Sequence, residues 1–200
     1  MLEKSRPERK TQNRVISFFT DKNNPNNLGY EYLGDWSKNE NNQCIETELL
    51  KTNLKKRGYS EQLISAALYE LQVAIDVTGK SLYQANLRTY QLLRYGVSVQ
   101  ISVDKPHEQV QLIDWENPKN NDFALAEEVT LRGGYERRPD IVLYVNGIAV
   151  TVIELKRSSV DVAHGIRQLR TNQEKIFNEN FFPTVQLLFA GNDSQGLHYG

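Results

Sequence analysis

The pair Asn146-Gly147, set between the apolar runs DIVLYV (140–145) and IAVTVIELK (148–156), constrains this chain more than any other feature. Both residues tolerate positive φ, and a two-residue turn of that kind matches the twist of an antiparallel ribbon. The flanking Val, Ile, Leu and Tyr suit strands, so the sequence predicts a β-hairpin over 140–156. A plain two-residue turn pairs residues whose numbers sum to 293, which sets Asp140 opposite Ile153 and turns Glu154 to the other side of the sheet. Glu154 and Lys156, two apart on one strand, share a face in either case.

That parity matters because the open end of the hairpin carries the chain's most suggestive chemistry. Asp140 follows Pro139 at the mouth of one strand, and Glu154 and Lys156 lie near the end of the next. Val150, Val152, Ile153 and Leu155 surround the charges. A carboxylate embedded among such residues needs a partner or a metal. Two carboxylates suit Mg²⁺, which takes a few carboxylates together with water and phosphate oxygens. The ion activates water and offsets charge at phosphorus, and an ammonium such as Lys156 would steady the same charge or place the water. For the three side chains to meet, the hairpin needs a bulge, a three-residue loop, or an Asp140 beyond the regular ladder. We expect such an irregularity. A plainer reading makes Asp140 a strand-start cap and Glu154–Lys156 a solvated rim pair, since D…ExK is short enough to arise by chance.

Around the hairpin the periodicity alternates between helix and strand. A short apolar helix is expected over 9–19, then Asn-rich loops at 21–27 and 38–43, with the aromatic segment LGYEYLGDW (28–36) packed on the body between them. Helical spacing runs over 45–57 up to Gly58, from the N-cap Ser60 to Ile75, and over 82–93 up to Gly96. Strands are expected at 97–103, 110–113, 126–131 and 185–191, with a helix over 160–180. The order gives a mixed α/β (α+β) fold with a central sheet flanked by helices.

Composition excludes several classes. Apolar residues make up 39% and aromatic residues 10%, enough for a core and against a disordered chain. No apolar run is long enough to span a bilayer, so no membrane role is expected, and the charged start reads as no secretory signal. The lone Cys44 leaves no disulfide framework and no Cys-based zinc site, which fits a reducing cytoplasm. His107, His164 and His198 lack metal-ligand spacing, and no P-loop sequence is present. The net charge of −1 argues mildly against a stand-alone nucleic-acid binder, although residues 131–175 carry eight Lys/Arg against five acids. Within that stretch Arg157, Arg167, Arg170 and Lys175 are candidates for contacts with DNA phosphates.

RPDIVLYVNGIAVTVIELKRS (138–158) resembles the signature of the PD-(D/E)xK nuclease domain at the amino terminus of the restriction (R) subunit of type I restriction–modification enzymes. LGYEYLGDW, LLRYG (92–96), LIDWENPKNNDFALAEEVTL (112–131), GIRQLRTNQ (165–173) and FFPTVQLLFAGNDSQGLHYG (181–200) are similar to the same family, so the resemblance covers nearly the whole chain. It implies a restriction-endonuclease-like core over 41–200, with residues 1–40 docked on it as a helix and loop segment. It further implies Asp140 and Glu154 as metal carboxylates, the Leu155 carbonyl as a further ligand, Lys156 as the catalytic lysine, Gln168 as an orienting residue, and Glu46 as an early-helix acid that approaches the metal. Some relatives carry a Tyr four residues beyond that glutamine; here Asn172 stands there, so no tyrosine role is carried over. The implied cofactor is Mg²⁺, with Mn²⁺ a substitute, and ATP is used only by a motor outside this chain. The implied partners are double-stranded DNA and the methylation (M) and specificity (S) subunits. The R subunits of that family are far longer than 200 residues, so this chain reads as an amino-terminal piece. Rival readings are another PD-(D/E)xK nuclease, of resolvase or repair type, and a non-catalytic DNA-binding or assembly module.

Overall fold

The computed structural model describes residues 8–199; residues 1–7 of the expected 1–40 segment, and Gly200, lie outside the described residues. A six-stranded mixed sheet forms the centre: β1 (Glu31–Asp35), β4 (Phe123–Glu127), β5 (Ile141–Val145), β6 (Ile148–Leu155), β7 (Leu187–Asn192) and β8 (Gly196–Tyr199), side by side in that order. β1 runs parallel to β4, and β6 parallel to β7; the other neighbours are antiparallel. β2 (Val97–Val99) and β3 (Glu108–Val110) pair separately as a small antiparallel ribbon.

Each face of the sheet is covered because strand residues alternate. Leu125, Ile141, Leu143, Ile153 and Leu155 point to one face, where Val15, Ile16 and Phe19 of α1 (Glu8–Thr20) pack on them. Ala126, Val142, Tyr144, Val152 and Ala190 belong to the larger core on the other face. That core is shared with α2 (Thr47–Lys56), α3 (Glu61–Ile75), α4 (Leu82–Tyr95) and α5 (Ala163–Asn172), through Leu50, Leu54, Ile64, Leu93 and Leu169 among others. The helix starts agree with the sequence: the Ser60 hydroxyl accepts from the Leu63 N–H, and Ser81 with Gln84 forms a full capping box. No helix among the described residues is long and apolar enough to cross a membrane.

Four expectations change. The strand expected over 110–113 lies earlier, at Glu108–Val110, where it pairs with β2. The strand expected over 97–103 ends at Val99, because residues 100–103 pair with no neighbouring strand and run along the surface, with Val103 92% exposed. The strand expected at 126–131 lies earlier, at Phe123–Glu127, and stops where Glu128 takes a positive φ of 52°. The helix expected through 180 ends at Asn172; a turn of 3₁₀ helix at Glu179–Thr184 then carries Phe181 and Phe182 into the core. In addition β1 and β8, which carry little apolar alternation, join the sheet as its edges.

Candidate active site

The hairpin turn is the two-residue kind, with Asn146 at φ 53° and Gly147 at φ 80° and Val145 paired with Ile148. The ladder does not stay in that register. Tyr144 pairs with Ala149, but Leu143 pairs with Thr151, so Val150 is an extra residue on β6. Beyond this bulge Ile141 opposes Ile153, and one step further Asp140 comes opposite Glu154. The irregularity that the parity argument requires is therefore present, and it lies in the strand rather than in the turn. It turns both carboxylates and Lys156 to the side on which α5 lies.

Asp140 is held at the end of β5 by its backbone. Its carbonyl accepts from the Glu128 N–H at 2.9 Å and from Gln12 Nε2 at 3.3 Å. Its Oδ2 accepts from the Leu155 N–H at 2.5 Å, tying the ends of the two strands together. Lys156 Nζ donates to Glu154 Oε1 at 2.6 Å. The Glu154 carboxylate is almost wholly buried, and its second oxygen, Oε2, has no hydrogen-bond partner. Helix α5 crosses closely above. A Cβ on Gly165 would lie 3.1 Å from Ala190 Cβ and 3.6 Å from Glu154 Cγ, so only glycine allows this approach without displacement. Gln168, three residues on, shares the same side of the helix and lines the same recess.

Electrostatics leave the pair of acids short of positive charge. Burial, and then the Glu154 charge, raise the Asp140 pKa well above the usual carboxylate range, against the Leu155 N–H that lowers it. Burial also raises the Glu154 pKa, with Lys156 only partly offsetting it. For Lys156, burial pulls the pKa down, but the carboxylates of Glu154 and Asp140 outweigh it and the net shift is upward. The recess, about 470 Å³ and open to solvent, is walled by five acids, Glu8, Glu128, Glu136, Asp140 and Glu154, against Arg137, Arg138 and Lys156. Such a site favours a cation over bare phosphate.

The donor set fits a hard divalent ion. It offers an orphaned buried carboxylate oxygen beside a second buried carboxylate. Among the described residues no group of three or more His, Cys, Asp or Glu side chains converges on one point, so the remaining positions would fall to water and substrate. Leu155 reaches Asp140 through its N–H.

Asp140, Glu154, Lys156 and Gln168 thus come together, whereas Glu46 does not. Its N–H donates to the Gly147 carbonyl at 2.7 Å, at the turn end of the hairpin. Seven residue steps along the strand separate Gly147 from Glu154, roughly 20 Å, so the expected approach of Glu46 to the ion is corrected. Glu46 is the residue before α2, and burial raises its pKa. Arg157, Arg167, Arg170 and Lys175 are exposed and lie outside the recess wall. The arginines that do border it, Arg137 and Arg138, were missed by the sequence reading. Arg138 pairs with Glu128 at 2.8 Å, and the Arg137 guanidinium lies 3.9 Å from the Phe177 ring centre. Their one visible signal is their place directly before Pro139-Asp140.

Known proteins resemble this chain in sequence. The type I restriction enzyme HindI endonuclease subunit of Haemophilus influenzae is 36% identical over 98 residues, which are 46% of this chain and 9% of that protein. The putative type I restriction enzyme MjaVIIP endonuclease subunit of Methanocaldococcus jannaschii is 32% identical over 106 residues, 52% of this chain and 10% of that protein. The matched segments span about a tenth of these relatives' length. The family model for the type I restriction enzyme R protein N terminus matches residues 8–200, and the chain belongs to that family.

Proposed function

We propose that this chain is the nuclease domain of a type I restriction R subunit, a PD-(D/E)xK fold that hydrolyses phosphodiester bonds of double-stranded DNA with Mg²⁺, for which Mn²⁺ can substitute. The observation that carries this reading is the Val150 bulge, which moves Glu154 into register with Asp140 and leaves one buried Glu154 oxygen without a partner. A structural ion pair would need neither.

Asp140 and Glu154 would hold the ion, with the Leu155 carbonyl a further donor. The chemistry a bound Mg²⁺ supplies is offset charge at phosphorus and a more acidic attacking water. Lys156, held at Glu154 Oε1, would donate to a non-bridging phosphate oxygen and stabilise charge that grows there. The Leu155 N–H fixes the Asp140 carboxylate, so its orientation costs nothing when substrate arrives. The Gln168 amide borders the same recess and would orient the water or a strand phosphate. Arg157, Arg167 and Arg170, exposed on and before α5, would contact flanking phosphates.

In the whole subunit, cutting would follow ATP-dependent translocation by a motor outside this chain. M and S subunits would supply target recognition, in the cytoplasm. The test is Asp140→Ala and Lys156→Ala in the full-length subunit within its complex. Cleavage should fall by about three orders of magnitude while DNA-stimulated ATP hydrolysis persists. Cleavage at the parent rate would overturn the reading.

A further inference from the structure

A second cleft, of about 550 Å³, lies at the turn end of the hairpin, bounded by the ends of α2 and α4 and by residues 111–120. Asn146 anchors this loop, donating from Nδ2 to the Leu112 carbonyl and to Asn121 Oδ1. The lining is the reverse of the Asp140 recess: Lys56, Arg57, Arg94 and Lys119 outnumber Asp114 and Glu116. Asp114 is occupied by the loop itself, accepting from the Asn117 N–H and from Asn120 Nδ2, both at 2.8 Å. Lys56 reaches Asp122 at 3.2 Å and Arg57 Nη1 donates to Asn53 Oδ1 at 3.3 Å, which leaves Arg94, Lys119 and the rest of the Arg57 fork available to a ligand.

Two of these are pre-positioned. The Arg57 guanidinium lies 5.5 Å from the Tyr59 ring centre, and that of Arg94 lies 5.4 Å from the Trp115 ring. The rings are pinned in turn. The Tyr59 hydroxyl accepts from the Gln111 N–H at 3.1 Å, and Trp115 Nε1 donates to the Leu93 carbonyl at 2.8 Å. A guanidinium resting on a ring keeps its in-plane N–H edge free, and that edge matches two phosphate oxygens. Trp115 is 51% exposed, a large aromatic surface in an otherwise polar cleft. Arginines beside an exposed aromatic ring are the elements that hold a nucleic-acid strand without reading its sequence.

We propose that this cleft is a second DNA-binding site, with Arg57 and Arg94 on backbone phosphates and a base or sugar against Trp115. The hairpin turn that anchors its loop is roughly 20 Å of strand from Glu154. The cleft would therefore anchor DNA at a distance from the acidic recess, which by itself repels phosphate. The affinity for phosphodiesters follows from the cleft; the choice of DNA as the polymer rests on the function proposed above.

The test uses the chain in EDTA, where no ion recruits DNA to the recess. Binding of a short labelled duplex and of a labelled single strand is followed by anisotropy and by tryptophan emission. Arg57→Ala with Arg94→Ala should weaken binding by about tenfold or more. For duplex DNA the double variant should also flatten the dependence of log K on log salt by about 1.8, the slope of two phosphate contacts. Trp115→Phe should abolish the emission change, because Trp36 packs on Tyr144 away from the cleft. The glutamine pair Arg57→Gln with Arg94→Gln serves if the alanines melt early. Unchanged affinity and slope in the double variant would overturn the inference, as would absence of DNA binding by the parent chain. So would loss of binding confined to Arg157→Ala with Arg167→Ala, which would put the DNA beside the recess alone. None of these outcomes touches the cleavage test in the full subunit, so the two readings fail separately.

Discussion

At its turn end the β5–β6 hairpin buries Asn146, and at its open end it buries Asp140 and Glu154. Asn146 is satisfied throughout. Its amide donates twice, its Oδ1 accepts from the Asp122 N–H at 2.8 Å, and its own N–H reaches the Asp122 carbonyl. Its positive φ is stabilised by these bonds, and the glycine beside it leaves room for the Glu46 carbonyl, 2.7 Å from where a Cβ would sit. The open end is arranged differently. Two carboxylates share a desolvated corner with one ammonium, and a buried oxygen goes without a partner. A fold gains stability from the first arrangement and gives some up for the second, which is what a site prepared for a cation and its substrate requires.

The sharpest way to break this contrast is to shift the register beyond the bulge. Inserting an alanine directly after Val150 leaves one bulged residue in place but moves every later β6 residue back by one, so Ile153 comes opposite Asp140 and Glu154 turns to the other face. Cleavage by the full-length subunit should drop about a thousandfold, with divalent-ion binding lost in calorimetry. Deleting Val150 removes the bulge yet keeps Asp140 opposite Glu154, so ion binding should survive that change. Retained ion binding in the insertion variant would show that register is not what forms the site.

Asn146→Ala tests the turn end. It removes three side-chain hydrogen bonds, leaves buried partners bare and puts alanine at positive φ, so the chain should lose about 3 kcal/mol in denaturant unfolding. The folded fraction should still bind ions at the open end. A loss under 1 kcal/mol, about one ordinary hydrogen bond, would mean that the network adds little.

The smallest effect has the most informative sign. Glu154→Gln keeps the shape but removes one buried charge from beside Asp140. In EDTA near pH 8 the melting temperature should rise by a few degrees, equivalent to about 1 kcal/mol, while cleavage disappears. A lower melting temperature would make Glu154–Lys156 a structural ion pair and favour the plainer reading of these residues.

Much of this was legible residue by residue. The Asn146-Gly147 turn, the caps at Ser60 and Gly96, and the shared face of Glu154 and Lys156 follow from local preferences that need no distant partner. The parity of the hairpin even required an irregularity, although not its position. Glu46 was misplaced because an acid at a helix start looks the same whichever end of a sheet that helix meets. Arg137 and Arg138 went unnoticed for the same reason: in sequence they are two cations before a proline, and only the neighbouring Glu128 and Phe177 bring them to the recess.

The turn, most of the helices and the alternation that gives each strand two faces are written in the order of residues, because backbone propensity and periodicity act over a few positions. Long-range packing settled that Val150 is the extra residue, that β1 runs parallel to β4 at one edge, and which charges lose their water. Those outcomes depend on what packs against each segment from far along the chain, and desolvation is a property of the assembled core rather than of any stretch within it.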